Sequence, residues 1–337
     1  MSKILNRGEY KVSNYPSDKD LKEKISFILA LGTLAPSTHN IQPWFFKIGD
    51  NYVDVFLDKD LKLPKADPTG RDAHISLGCC VENIILASRY FGIFNDVEYT
   101  FKDNYLVRIN FKKDGVREES LKDFVYAIVD RFDARGKFEK YDLSDEYAEI
   151  LNKLNDFENL SFDILKGDKQ HKLSVLTASG LREAHADTKF RRELAVLINH
   201  GLSKRSYGIP AFSMRMPFFL SFFIPKAVYY FNLSFILSKL NQNSVDSASA
   251  VAVVSSVKDD PRQWFDVGRL SERAMLKIFS LGLKSSIYIA SVEIGDRYKK
   301  VKDMIDKDHR PQFVFAFGKM NLKLQDVPRT KLELKIK

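Results

Sequence analysis

An α+β chain is the fold class that the sequence predicts, and three observations carry it. Two short runs rich in aromatic and β-branched residues, Trp44 to Ile48 and Tyr52 to Leu57, flank Gly49-Asp50-Asn51 and read as a hairpin. Helical periodicity then takes over, with Leu77, Val81, Ile84, Ile85 and Ser88 on one face and Gly92 as the closing residue. Third, Gly78-x3-Glu82-x3-Leu86-x5-Gly92 recurs as Gly268-x3-Glu272-x3-Leu276-x5-Gly282, each position 190 further on. Duplication of a unit and coincidence in helix-forming text both account for four matches at this point.

The remaining elements follow from local signals. Ser17-Asp18-Lys19-Asp20 has a capping-box pattern and opens a helix expected to run to about Leu34, where Pro36 stops it. Asp67-Pro68-Thr69-Gly70-Arg71-Asp72 is a turn, and strands are expected at Val97 to Phe101 and Tyr105 to Phe111. The aromatic alternation of Arg310 to Gly318 marks a core strand.

Composition sets the class of protein. With 337 residues, 45% hydrophobic and 29% charged, the chain has the apolar content for a large core and room for two domains. A formal charge of +9 favours anionic ligands, a phosphorylated cofactor among them. No zinc finger, RNP-type motif or dense basic helix points to nucleic acid. Cys79 and Cys80 are adjacent, which suits neither an ordinary disulfide nor a zinc site, and fits a reduced compartment. The first residues lack the apolar run of a secretion signal, so a cytoplasmic location is expected. His74 and His309 have no partner at metal-ligand spacing and no metal is expected; His39, His185 and His200 are candidate acid–base groups. Hydrolase chemistry lacks a Gly-x-Ser-x-Gly, and Cys79-Cys80 falls inside a helix.

The most informative stretch is Pro36-Ser37-Thr38-His39-Asn40-Ile41-Gln42-Pro43-Trp44. Five hydrogen-bonding side chains stand in six positions, and the two prolines stiffen both ends. Such a loop suits the polar edge of a flavin or purine, and it also reads as a plain turn into the next strand. It resembles the Pro-Ser-x-x-Asn-x-Gln-Pro-Trp signature of the FMN-dependent nitroreductases, and with His before Asn it is most similar to their twin-domain, Acg-type branch.

That resemblance implies two fused nitroreductase-like halves, 1–125 and 126–337, with antiparallel-rich sheets flanked by helices and forming an intramolecular pseudo-dimer. It implies flavin contacts from Pro36, Ser37, Thr38, His39, Asn40 and Gln42, reaching over from the opposite half. Arg131-Phe132-Asp133-Ala134-Arg135-Gly136-Lys137-Phe138 resembles the family's Arg-x-x-x-Arg-x-x-Phe motif, which implies that Arg131 and Arg135 hold the FMN phosphate and ribityl chain. Guanidinium groups suit that task because they stay charged and bind phosphate bidentately. The family often has Asn where Ala134 stands, so one polar contact is missing here. Arg329 and Lys331, in Pro328-Arg329-Thr330-Lys331, are similar to a C-terminal pair reaching the same phosphate; a frayed basic tail is the other reading. Ala290 and Ser291 correspond to the segment facing flavin N5, although the family's Pro-x-Glu is Ser291-Val292-Glu293 in this chain.

The activity so implied is NAD(P)H-driven, ping-pong reduction of nitroaromatic, quinone or similar small-molecule acceptors on FMN, with no catalytic side chain. The other function class is an FMN-binding storage protein with a covered flavin. Either a monomer acting as a pseudo-dimer or a homodimer fits. The aromatic stretch 208–240 is interrupted by Arg215, Pro217, Pro225 and Lys226, so no transmembrane helix is expected. Its Gly208-Ile209-Pro210 resembles an Acg-type segment that precedes an insertion, here about 205–242, covering the flavin; a surface-associating hairpin is the alternative.

Overall fold

Residues 3–214 and 218–337 are described by a computed structural model, so Arg215 and Pro217, two of the expected helix breakers, lie outside the described residues. The chain forms two four-stranded antiparallel sheets with helices against them. The first contains β1 (Trp44–Ile48), β2 (Tyr52–Leu57), β3 (Phe94–Lys102) and β4 (Tyr105–Phe111), in the order β1-β2-β4-β3. Helices α1 (Leu21–Gly32), α2 (Arg71–Tyr90) and α3 (Lys122–Asp130) accompany it. The hairpin of β1 and β2 has the predicted limits, and β3 extends three residues before and one after its expected span.

Helix α1 starts later than the capping box suggests. Asp20 is its cap, accepting the Glu23 amide at 2.9 Å, because Lys19 N–H closes a turn onto Pro16 and leaves Ser17 outside the helix. The helix ends at Gly32 rather than Leu34.

After α4 (Asp145–Asn152), the second sheet is drawn from β5 (Leu160–Leu165), β6 (Ala250–Ser256), β7 (Lys284–Ile287) and β8 (Arg310–Gly318), in the order β5-β6-β8-β7. Both sheets therefore share one strand order, first-second-fourth-third. Between β5 and β6 run α5 (Gly167–Ala186), α6 (Thr188–Leu197), α7 (Ile224–Tyr230) and α8 (Ser234–Ser247); α9 (Pro261–Ser280), α10 (Ala290–Glu293) and α11 (Arg297–Lys302) follow. This second sheet is covered on both faces. Phe313, Phe315 and Phe317 point to one buried cluster and Val314 and Ala316 to another, as period-2 alternation requires.

The 190-residue repeat acquires a physical meaning in α2 and α9. Both are 20 residues long, and each end of α9 lies 190 positions beyond that of α2 (71 and 261, 90 and 280). Gly92 and Gly282 close them with φ of 74° and 80°, the left-handed conformation that glycine adopts without penalty. The two helices pack against each other, and their repeated glycines form the crossing. A Cβ on Gly78 would sit 2.0 Å from the Phe265 carbonyl oxygen, and one on Gly268 would sit 2.0 Å from that of Ile75. Since 75 and 265 are also 190 apart, the contact is reciprocal, as across a two-fold axis. Glu82, at the next repeated position, is fully buried and bound by Arg269 at 2.9 Å and Arg273 at 2.7 Å. Burial opposes its charge, but the two arginines outweigh it and hold its pKa below the usual value.

The C-terminal segment is docked rather than frayed. Phe46 N–H donates to Lys335 O, Lys337 N–H to Phe46 O and Leu5 N–H to Arg329 O, which ties the last ten residues to β1 and to the N-terminal residues. Leu332 enters the first core.

Candidate functional site

The 36–43 loop bridges α1 and β1, and three of its non-glycine residues take positive φ: His39 at 50°, Asn40 at 57° and Gln42 at 56°. Conformations of this kind persist only where surrounding bonds over-determine them. Gln42 supplies many of those bonds. Its amide nitrogen donates to Asn40 O (3.1 Å) and Ser206 O (2.8 Å), its side-chain oxygen accepts from Thr330 N–H (2.8 Å), and its main-chain N–H reaches the Ser37 hydroxyl (3.0 Å). Asn40 donates to Gly208 O (3.2 Å) and Pro328 O (3.0 Å) and accepts from Arg329 (2.9 Å). The loop is thus clamped between the 205–242 insertion and the C-terminal segment.

One face of the loop lines a cavity of about 710 Å³. Residues 36 to 40 form one wall and α2 contributes Asp72, Ser76 and Cys79. The opposite wall comes from 131–137, from Tyr288 to Ala290 and from Glu293, with His185 and Phe190 on α5 and α6. The insertion closes one side with Ile209, Pro210, Val228, Leu237 and Asn241. Gly180 lets α10 approach α5, since a Cβ there would meet the Ala290 carbonyl at 2.4 Å.

The polar groups of this cavity differ in what they have left to offer. His39 Nε2 is buried without a partner among the described residues. Burial first, and then the Arg135 charge, pull its pKa down to about 4 against the opposing effect of Asp72, so the ring is neutral at neutral pH. His185 is likewise pulled down to about 4 by burial and Arg191, and its Nδ1 has no partner. Arg135 pairs with Asp133 at 2.8 Å and lies over the Tyr288 ring at 5.4 Å, yet keeps 39% of its side chain exposed. Burial works against its charge, and Asp133 and Tyr288 outweigh that and raise its pKa. Arg131 is almost wholly buried and pairs with Glu272 at 3.2 Å, while its Nε is unpartnered.

Arg329 lines the cavity as well, but its donors are already committed to the protein. Its Nε donates to Thr33 O, Nη1 to Asn40 Oδ1 and Pro328 O, and Nη2 to Leu34 O and Ala35 O. All five N–H donors are therefore engaged by the protein, as a cap on the carbonyls that end α1. Lys331, Gln42 and Ser291 do not line the cavity, whereas Ala290 does. Ser291 is fully buried with an unpartnered hydroxyl, and Lys331 is held through its main chain to Lys3 O at 3.0 Å. His200, just before the insertion, does not line the cavity and stacks on Phe222 with ring centroids 5.3 Å apart.

Sequence reasoning missed an acidic group in the same wall. Arg71 reaches Glu293 at 3.1 Å and Asp72 at 3.5 Å, and Thr38 donates to Asp72 at 3.1 Å. Burial, followed by the Asp72 charge, pushes the Glu293 carboxyl well above its usual range, and Arg71 only partly offsets this. Asp67 rises to about 6 by burial and the nearby Asp72. The only local signal was the position of Arg71-Asp72 at the first turn of α2, because Glu293 lies 221 residues away. Lys137 was also passed over as a site residue; it is exposed at the cavity wall and forms no ion pair among the described residues.

No family model matches the chain. It is similar to two Mycobacterium tuberculosis proteins. One, named "Putative NAD(P)H nitroreductase acg", is 36% identical over 74 residues, which is 22% of this chain and 22% of that protein. The other, "Putative NAD(P)H nitroreductase Rv3131", is 31% identical over 70 residues, 21% of this chain and 20% of that protein. The matched stretch thus spans about a fifth of each relative's length. Among solved structures, the FMN-dependent nitroreductase NfnB from Mycobacterium smegmatis, in complex with NADPH, is similar over 64% of this chain and 97% of its own, at 15% identity and a TM-score of 0.42.

Proposed function

We propose that the chain, as a relative of the NAD(P)H nitroreductases, holds one FMN in the cavity beneath the 36–43 loop and works as an oxidoreductase. The observation that carries this reading is the cavity itself: about 710 Å³, walled from both repeats, with unpartnered polar atoms on His39 and Arg131 and accessible cations at Arg135 and Lys137. Its size falls within the range of small-molecule sites, and its donors match a ligand with a polar ring edge and a phosphate. When bound, FMN would supply hydride transfer from NAD(P)H to a nitroaromatic, quinone or similar acceptor.

The protein's own groups then have distinct tasks. His39, neutral and without a partner at Nε2, offers one hydrogen bond from a rigid loop, so little ordering is required when a ligand arrives. Arg135 and Lys137 would take the phosphate; Arg131 would add its Nε, and Arg329 would act by holding Asn40 and the loop. Ala290 would meet the ring edge through its main chain, with Gly180 allowing the approach. Glu293, whose carboxyl burial pushes well above its usual range, would stand at the wall as a proton donor to an acceptor. Ile209, Pro210 and Val228 exclude water from that side. A division into two halves goes with this reading, supported by the common strand order and the reciprocal glycine crossing, with the boundary after α3 rather than at 125/126, which would cut that helix.

The test is an anaerobic titration of purified protein with FMN and then NAD(P)H, following flavin absorbance. One FMN per chain that bleaches on adding NAD(P)H and recovers with a nitroaromatic or quinone is the expected result. Tight binding without bleaching would assign the chain to flavin storage. Absence of binding, or two equivalent sites per chain, would overturn the reading of the cavity.

A further inference from the structure

The insertion between α6 and β6 divides its side chains unusually. A small apolar centre of Ile198, Val228, Ile209, Ile224, Tyr229 and Leu233 packs on α6, and Ser221, Ser234 and Ser238 are buried as well. The serines are used as internal polar contacts: Ser221 accepts Gly201 N–H at 2.9 Å and donates to Phe218 O, and Ser238 accepts from Arg182 at 3.3 Å. Outward stand Phe219, Phe223, Tyr230, Phe231, Phe235 and Ile236, each between 59 and 76% exposed. A helix or turn bathed in water places its serines outside and its phenylalanines inside. So many exposed aromatic side chains within one insertion mark a surface whose working surroundings are not water.

Charge identifies those surroundings. Between Glu193 and Asp246 the sequence contains no acidic residue, while Lys204, Arg205, Arg215, Lys226 and Lys239 are all basic. Lys204, Arg205, Lys226 and Lys239 are exposed, and none is in an ion pair among the described residues. A second copy would bring the same cations against them, which is repulsive. Anionic headgroups over an acyl layer complement both features, with the cations at the headgroups and the aromatic rings below them. Among the described residues no helix is long and apolar enough to cross a membrane, and α7 has seven residues.

We propose that the outer face of this insertion seats the protein on an anionic phospholipid bilayer. The inner side of the same insertion lines the cavity through Ile209, Pro210, Val228 and Leu237, so one thin wall separates lipid from site. Seating does not depend on whether the cavity holds FMN.

The test uses the full chain, without added flavin, and extruded vesicles of phosphatidylglycerol and phosphatidylcholine or of phosphatidylcholine alone. Sedimentation should carry the protein down with the anionic vesicles, and less so in high salt, where screening shortens from about 10 Å to about 3 Å. The combined variant Phe219→Ser, Phe223→Ser, Phe231→Ser should lower the partition coefficient by at least about tenfold. Lys226→Glu with Lys239→Glu should weaken binding to anionic vesicles selectively, on the order of tenfold. Circular dichroism and thermal unfolding confirm that these exposed substitutions leave the fold intact. No binding to either vesicle, or equal binding by wild type and the Phe variant, would overturn the proposal. So would a dimer in sedimentation velocity that the Phe variant dissolves while vesicle binding is absent, since a second copy would then cover the face.

Discussion

Replacing Gly78 by alanine tests the helix crossing on which the two repeats meet. The added methyl carbon would lie 2.0 Å from the Phe265 carbonyl oxygen and 3.0 Å from the Arg269 nitrogen, where ordinary contact starts at 3.4 Å. The obstructing atoms are backbone, so no side chain can rotate away; α2 and α9 must separate locally by roughly 1.4 Å. Overpacking of this kind costs about 1–3 kcal/mol, with more expected where two backbones collide. Alanine's better helix propensity offsets about 1 kcal/mol of that. A net loss of about 2–3 kcal/mol is expected, or a fall in apparent Tm of about 3–4 °C for a chain of this size. Gly268→Ala should cost a similar amount, because it meets Ile75 O at the same 2.0 Å, and the double variant should lose less than the sum, as one separation relieves both clashes. Gly282→Ala serves as the control: its Cβ meets nothing within 4 Å, so only the left-handed backbone contributes, about 1–2 kcal/mol. Differential scanning calorimetry of the four variants decides the matter. An unchanged or raised Tm in Gly78→Ala would refute the close crossing, and strict additivity would refute its reciprocity.

The other expectations concern the cavity. Arg135→Ala should weaken FMN by about 10- to 150-fold, the loss of one charge-assisted contact of about 1.5–3 kcal/mol, and riboflavin much less; equal losses in a fluorescence titration would remove Arg135 from the phosphate site. His39, with its pKa pulled down to about 4, binds fewer protons folded than unfolded between pH 4 and 6.5. It therefore contributes stability that is full above 6.5 and lost as pH falls towards 4, at most about 3 kcal/mol. Urea unfolding of His39→Gln at pH 7 and pH 4.5 should show a shallower pH dependence than wild type, and an identical slope would assign the pH dependence to other groups. Replacing residues 212–236 by a Gly-Ser linker should raise turnover with bulky acceptors in a variant that still binds FMN; unchanged rates and flavin fluorescence would show that the insertion does not guard the cavity.

What the sequence by itself determined is whatever rests on neighbours along the chain. The hairpin of β1 and β2, the end of α2 at Gly92 and the inward alternation of Phe313, Phe315 and Phe317 were legible because period and turn chemistry operate over a few residues. The Gly-x3-Glu-x3-Leu-x5-Gly repeat was legible as text but not as contact. That Gly78 and Gly268 touch the opposite backbone follows only once α2 and α9 are laid across each other. Tertiary structure likewise decided how similar-looking polar residues divide their work. Gln42 and Asn40 turn their amides into the scaffold and His39 lines the cavity, although all three lie within four positions of a single strained loop. Arg329 and Arg135 carry the same guanidinium. One is surrounded by five carbonyl and amide acceptors at the end of α1, and the other opens on the cavity beside Asp133, because hydrogen-bond partners are set by what folds alongside them. Glu293 and Asp72, 221 positions apart, meet only where the fold brings both to Arg71. Long-range burial and pairing of this kind leave no periodic trace, which is why they were absent from the sequence reading and became visible only in the folded chain.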